Sequence, residues 1–359
     1  MLLALSLAVI ALHLLLRHDH GLMNSISSKI IAPLHQRMAS LCAAFGTVSL
    51  AEILIAVFAA ALLGYVLCEL ALLITKPERA KRLYRLAIRL AATGFAVYAG
   101  YSLLWGVYYY GDDFIAQSGL ESSEISVEQL ETVTVYFAEK LNEYSGKVSR
   151  DEKGFYIADR DAILEKSPEV YLGLEQSFPC LQGPDISAKG LRFSRVLSYM
   201  DFTGFFFPFT AEANVNTDFP PGLFASTVAH ELAHQRGVAK EQEANFVAVL
   251  SCLDYGDADY CYSACMLAYT HLGNALYAAD NGAWQMVYSG LAENVKRDFA
   301  ANRAYWQQFE TPVQTVTTTV YEGFLQSYDQ RLGMKSYGAC VDLLVNYYYA
   351  EAAEYYNVR

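Results

Sequence analysis

Several things are missing or scarce in this chain of 359 residues, and each absence excludes something. No disulfide framework can be read. Cys42 and Cys68 lie in the apolar N-terminal third, and the remaining five cysteines, Cys180, Cys252, Cys261, Cys265 and Cys340, are an odd set without regular spacing. Cys261 and Cys265 sit at helical spacing among apolar neighbours near His271, where buried thiols are expected rather than a second metal site. There is no internal repeat and no low-complexity tract, so a repeat architecture is excluded. The first apolar stretch, residues 2–16, has neither a basic leader nor an A-x-A cleavage site, and it reads as a retained anchor rather than a removed signal peptide.

Basic charge is also scarce, and unevenly so. Residues 1–110 hold nine Lys or Arg against four Asp or Glu, a net of +5 within a chain total of −12, which leaves −17 for residues 111–359. So acidic a C-terminal part argues against nucleic acid and against docking on anionic lipid, and is read as a solubilising surface.

What the chain has in excess is apolar sequence. Its composition is 54% hydrophobic and its mean hydropathy +0.17, with the surplus concentrated before residue 111. Beyond the short stretch at 2–16, the runs at about 49–75 and 87–109 are each long enough to span a bilayer. Cytoplasmic loops retain Lys and Arg, and the connection between those two runs carries Lys76, Arg79, Lys81, Arg82 and Arg85, with Arg89 at the start of the next. That loop is therefore expected inside and everything after residue 110 outside the cytoplasm. Trp105 and the Tyr108–Tyr109–Tyr110 run suit an aromatic belt at the outer interface, and Glu52 and Glu69 are expected to snorkel to the headgroups.

The chemistry concentrates in TVAHELAHQRGVAKEQEANF, residues 227–246. Here His230, Glu231 and His234 form H-E-x-x-H in a segment whose apolar spacing, Phe224, Val228 and Leu232, is helical. Residues four apart share a helix face, so two imidazoles can address one zinc ion. Glu231, rotated about 100° from His230, can reach a water at that ion as general base without being a ligand. Gly237 can take the left-handed conformation that ends the helix. At the place of a third histidine in the metzincin pattern stands Lys240, which excludes that subclass.

A catalytic zinc commonly takes three protein ligands. A second helix starting near Lys240 has an apolar face of Phe246, Val247, Leu250 and Leu253, and extending it backwards lands on Glu243. A carboxylate on a buried face is costly unless paired or bound to metal, so Glu243 is the expected third ligand. Glu241, on another side with Ala244, Asn245 and Ala248, is the alternative, and an ion pair with a base is the structural account of Glu243.

Elsewhere, Ser126 and Gln129 form a capping box that opens a helix over residues 127–144. Residues 145–190 read as loops with short elements, and residues 195–222 as an extended, aromatic-rich approach to the motif. Within that approach, residues 209–216 are the candidate for aligning a substrate backbone by strand addition. Further helices are expected over 260–276, 291–309, 316–331 and 339–349. Tyr262, Tyr269, His271 and Tyr337 are conceivable oxyanion donors.

The chain resembles the bacterial membrane protein family known as domain of unknown function 3810. The likeness rests on FPFTAEANVNTD, HELAHQRGVAKEQEANF and SYGACVDLLVNYY in that order, and on LLWGVYYY closing the second long span, over residues 30–359. It implies a membrane-anchored, zincin-like domain with His230, His234 and Glu243 as zinc ligands and Glu231 as base.

The expected architecture is mainly α. Transmembrane helices occupy residues 1–110, and a mostly helical zincin-like domain with a small β element occupies residues 111–359. The expected activity is that of a zinc metallopeptidase in a bacterial cell membrane, multi-pass and with its C-terminal domain extracytoplasmic, acting on a peptide or protein near the lipid bilayer. A non-catalytic zinc sensor or scaffold on the same anchor is the alternative.

Overall fold

The structure is a computed structural model that describes residues 1–120, 123–330 and 337–357. It is mainly helical, with 73% of residues in helices and few strands. Two compact units are present: Met1–Asp112 together with Phe207–Glu212, and Asp113–Phe206 together with Ala213–Arg359.

The first unit contains α1 (Leu2–Leu16), α2 (His20–Ile26), α3 (Ala32–Ala43), α4 (Leu50–Thr75) and α5 (Arg79–Leu104). Both α4 and α5 are long and apolar enough to cross a membrane, whereas α1 is a shorter apolar helix. Almost none of α4 is covered by the protein, so Ile53, Phe58, Leu63 and Leu67 point outward from it. A helix this apolar and this little covered is one that could cross a membrane. Its start is well provided for. Ser49 accepts the Glu52 N–H at 3.0 Å, and the buried Glu212 carboxylate accepts the N–H groups of Leu50 (3.2 Å) and Ala51 (2.7 Å). An anion at the positive end of a helix is a favourable pairing. Glu69 lies 3.5 Å from Arg82 and 3.9 Å from Arg89, so an ion pair with α5 is its partner in the protein.

The second long helix starts earlier and ends earlier than its apolar run. It closes at Leu104, and Gly106–Tyr110 form a 3-10 turn. Trp105 and Tyr110 are buried there, with Trp105 Nε1 donating to the Tyr109 hydroxyl at 3.2 Å and Arg17 to that of Tyr110 at 2.8 Å. Trp105 and Tyr110 thus pack inside the unit, while Tyr108 and Tyr109 are half-buried.

The second unit runs through α6 (Phe114–Ser118), α7 (Val127–Ser145), α8 (Arg160–Lys166), α9 (Leu174–Ser177), β1 (Lys189–Gly190), α10 (Ser194–Tyr199), β2 (Gly204–Phe207) and β3 (Glu212–Val215). It continues with α11 (Phe224–Gln235), α12 (Glu241–Tyr255), α13 (Ala258–Ala279), α14 (Asn281–Ser289), α15 (Glu293–Gln307), α16 (Pro312–Ser327) and α17 (Tyr337–Asn357). The capping box forms as the sequence reads. Ser126 Oγ accepts the Gln129 N–H at 3.1 Å and Gln129 Oε1 accepts the Ser126 N–H at 2.8 Å. Such a cap stabilises a helix by about 1 kcal/mol.

Helix α13 lies at the centre of the second unit, packed against α7, α11, α12 and α17. Phe137, Leu141, Phe246, Tyr260 and Tyr262 are fully buried in this core. One ionic knot is buried with them. Asp298 accepts Arg150 Nη1 at 2.8 Å, the Tyr262 hydroxyl at 2.6 Å and the Tyr156 N–H at 3.0 Å, so its lone pairs are well used.

The small sheet has the order β1-β3-β2, with β1 and β3 parallel in the register Lys189 to Asn214 and Gly190 to Val215. This corrects the expectation for residues 209–216. Half of that segment, Glu212–Val215, is β3, the central strand, whose two edges are already occupied. The outer strand next to it is β2.

Candidate metal centre

Helix α11 carries the motif, and its burial pattern is unusual. Of its residues Phe224–Gln235, only His230 is not buried. The helix is therefore core on every side except where this imidazole emerges. Its C-terminal turn is made by Gly237 at φ +90, a conformation that favours glycine, and the Gly237 N–H bonds the His234 carbonyl at 2.9 Å. The chain then reverses and enters α12 at Glu241.

That reversal brings three side chains together. Glu241 Oε2 lies 3.2 Å from His230 Nε2 and 3.6 Å from His234 Nε2, and one ligand atom from each residue falls within 4.8 Å of the others. The two imidazole rings stand at 90° with centroids 4.6 Å apart. His234 Nδ1 is 2.7 Å from the Val238 carbonyl. A carbonyl can only accept, so Nδ1 holds a proton and Nε2 is the nitrogen turned toward the cluster, the orientation a metal-binding histidine requires.

The donor set fits zinc. Zinc bonds of ~2.0–2.2 Å in tetrahedral geometry place donors about 3.4 Å apart. The His–Glu separations bracket that spacing. Two neutral nitrogens and one carboxylate are also a familiar ligand set for a catalytic zinc, which leaves a fourth position open.

Glu231 lies beside the cluster. It is buried, and its Oε2 has no hydrogen-bond partner among the described residues. Burial pushes its carboxyl up to about 7, with the two imidazoles pulling the other way and Glu241 adding to the rise. An unsatisfied buried carboxylate oxygen is costly and asks for a partner that arrives with the function. Its other side is closed by β2. A Cβ added at Gly204 would lie 2.6 Å from Glu231 Oε1 and 2.8 Å from the Asn214 carbonyl, so only glycine lets this strand approach the acid so closely.

The charges in the cluster are strongly coupled. Burial works against the charge on Glu241, yet His234 and His230 hold its carboxyl well below the usual range. Burial likewise opposes protonation of His234, but Glu241 raises it to about 9. His271, on α13, goes the other way. Burial lowers it to about 4 and the charge of His230 adds to the effect.

Glu243, the expected third ligand, is not in the cluster. It is buried as its apolar-face position implies, but its Oε2 accepts the Phe114 N–H at 2.8 Å and its Oε1 lies 3.8 Å from Lys240 Nζ. Lys240 also pairs with Asp113. A carboxylate buried on this face demands a partner, and it finds the Phe114 backbone N–H and the Lys240 ammonium instead of the histidines. Glu241, at the first position of α12, is the acid that turns back toward the histidines.

Among the conceivable oxyanion donors, the Tyr262 hydroxyl is taken by Asp298. Tyr269 packs on Phe299, with ring centroids 5.7 Å apart. The side chain of Tyr337 lies outside the described residues. A phenol that does touch the cluster is Tyr321 of α16, whose Oη donates to Glu241 Oε1 at 3.2 Å. No local pattern singles it out from the 27 tyrosines of the chain.

The fold and the cluster define a mainly helical protein with two membrane-length helices and a two-histidine, one-glutamate centre. The family described as "Protein of unknown function (DUF3810)" matches residues 28–345, and the chain belongs to it. Neither a curated protein nor a solved structure matches the chain.

Proposed function

We propose that the protein is a membrane-anchored zinc metallopeptidase, with His230, His234 and Glu241 as metal ligands and Glu231 as general base. One observation carries the reading: three zinc-type donors converge beside a buried carboxylate oxygen that has no hydrogen-bond partner among the described residues. A purely structural zinc site has no need of such an acid, which is why the sensor or scaffold alternative is disfavoured.

Bound zinc would supply Lewis acidity toward water and toward the scissile carbonyl. The residues of the chain do the rest. His234, fixed by the Val238 carbonyl, and His230 orient the centre. Glu231 Oε2, which has no other partner among the described residues, takes up a proton from the attacking water and returns it to the leaving amine. Strand β2 aligns an extended substrate by strand addition, its Gly204 lying against the base.

The substrate is a peptide or a peptide-bearing envelope component. In this reading helices α4 and α5 anchor the chain in the lipid bilayer and the domain from residue 113 lies outside, a topology supported by the length of the two helices and by the basic residues within 76–89, which the positive-inside rule assigns to the cytoplasm. Tethering restricts substrates to the membrane surface.

The test uses full-length protein in detergent. Near-stoichiometric zinc is expected, lost in His230→Ala and Glu241→Gln and kept in Glu231→Gln. Hydrolysis of a mixed peptide library is expected from the parent and absent from Glu231→Gln. A folded protein that takes up no zinc sinks the proposal. Zinc uptake with equal hydrolysis, or none, in parent and Glu231→Gln leaves the scaffold reading in its place.

A further inference from the structure

The two oxygens of Glu241 face different partners. Oε2 points at both imidazole Nε2 atoms, while Oε1 accepts the Tyr321 hydroxyl at 3.2 Å. Glu241 needs such a constraint. It is the first residue of α12, it follows a chain reversal, and Lys240, the preceding N-cap residue, supplies no side-chain cap. Unconstrained, a carboxylate can rotate to present either oxygen, both, or neither.

Tyr321 is itself held in place. Its ring meets Phe202 edge to face, with centroids 5.2 Å apart at 87°. About two helical turns earlier on α16, Gln314 Nε2 donates to Asp201 Oδ2 at 2.9 Å. Asp201 occupies the left-handed region at φ 65, a turn conformation that Asp tolerates. Helix α16 is thus fastened at two successive residues just before β2, the strand whose Gly204 lies against Glu231. From base to ligand the connection runs Glu231, Gly204, Phe202, Tyr321, Glu241.

We propose that Tyr321 is a positioning residue of the metal centre: by holding Oε1 of Glu241 it leaves Oε2 alone to ligate, and it ties that ligand to the strand that backs the general base. The inference rests on the metal-site reading above. Partners of this kind are worth about 10–100-fold in metal affinity when removed.

Tyr321→Phe keeps the ring on Phe202 and removes only the donor. In full-length protein in detergent, its zinc affinity, measured against a competing chelator, is expected to fall about 10–100-fold. The visible spectrum of the cobalt-substituted form is expected to change in band position and intensity as Glu241 loses its fixed orientation. Circular dichroism and melting of the metal-free form are expected to match the parent. Tyr255→Phe, which loses a phenol bond to Glu169 elsewhere in the domain, is the control and is expected to bind zinc as the parent does. Unchanged affinity and cobalt spectrum in Tyr321→Phe overturn the inference, as does an equal loss in the control. A parent that binds no zinc overturns the metal site itself, and it is recognised before any variant is made.

Discussion

The Glu243 carboxylate accepts the Phe114 backbone N–H at 2.8 Å, while Glu241, two residues earlier on the same helix, turns its Oε2 to within 3.2 Å of His230. Residues two apart on a helix point about 200° away from each other, so two acids this close in sequence serve opposite faces. One pins the start of the second unit to α12, and the other completes the histidine cluster.

The two acids should therefore separate cleanly by experiment. Glu241→Gln is expected to lose zinc. Glu243→Gln is expected to keep it, because the amide oxygen can still accept from Phe114, but to melt earlier by the equivalent of about 1–3 kcal/mol as Lys240 loses a charged neighbour. Metal analysis and thermal unfolding decide it. Zinc lost from Glu243→Gln and kept in Glu241→Gln would reverse the assignment.

Gly204 tests the link between strand and base. A methyl group there meets Glu231 Oε1 at 2.6 Å and a backbone carbonyl at 2.8 Å, and the carbonyl cannot give way cheaply. Gly204→Ala is expected to keep its zinc and to lose about 100-fold in peptide hydrolysis, the scale at which a displacement of an ångström acts on a positioned group. Activity within a few-fold of the parent would show that β2 does not hold Glu231.

A stability prediction concerns Asp298, whose three acceptor contacts include the Arg150 guanidinium at 2.8 Å. Removing the carboxylate charge leaves Arg150 largely buried without its counter-ion. Asp298→Ala is expected to destabilise the protein by about 3–5 kcal/mol. Unfolding monitored by tryptophan fluorescence or circular dichroism measures it, and a change below 1 kcal/mol would mean that water replaces the acid at no cost.

Membrane orientation is open to cysteine labelling. A cysteine placed at Glu78, in the turn between α4 and α5, is expected to react with an impermeant maleimide only after the cells are opened. One placed at Glu128, exposed at the start of α7, is expected to react in intact spheroplasts. Both measurements use a background with Cys68 replaced, since it is exposed on α4. Labelling of the pair in the opposite order would put the metal centre in the cytoplasm.

What could be read from the sequence was whatever depends on neighbours in the chain. The motif helix, the Gly237 turn, the capping box at Ser126 and the uninterrupted apolar run of α4 follow from spacing and backbone preference, which act over one or two turns. His230 and His234 meet because they are four residues apart on a helix, and no tertiary contact is needed to predict that. The choice between Glu241 and Glu243 is different in kind. Periodicity located the buried acid correctly, but burial demands only some partner, and the Phe114 N–H that provides it lies more than a hundred residues away. The same holds for β3 as the central strand, for the 3-10 turn that ends α5 early and for Tyr321, which reaches Glu241 across 80 residues. Local sequence sets which way a side chain leaves its own helix; what it meets there is decided by how distant segments pack, because that is where burial and hydrogen-bond satisfaction are settled together.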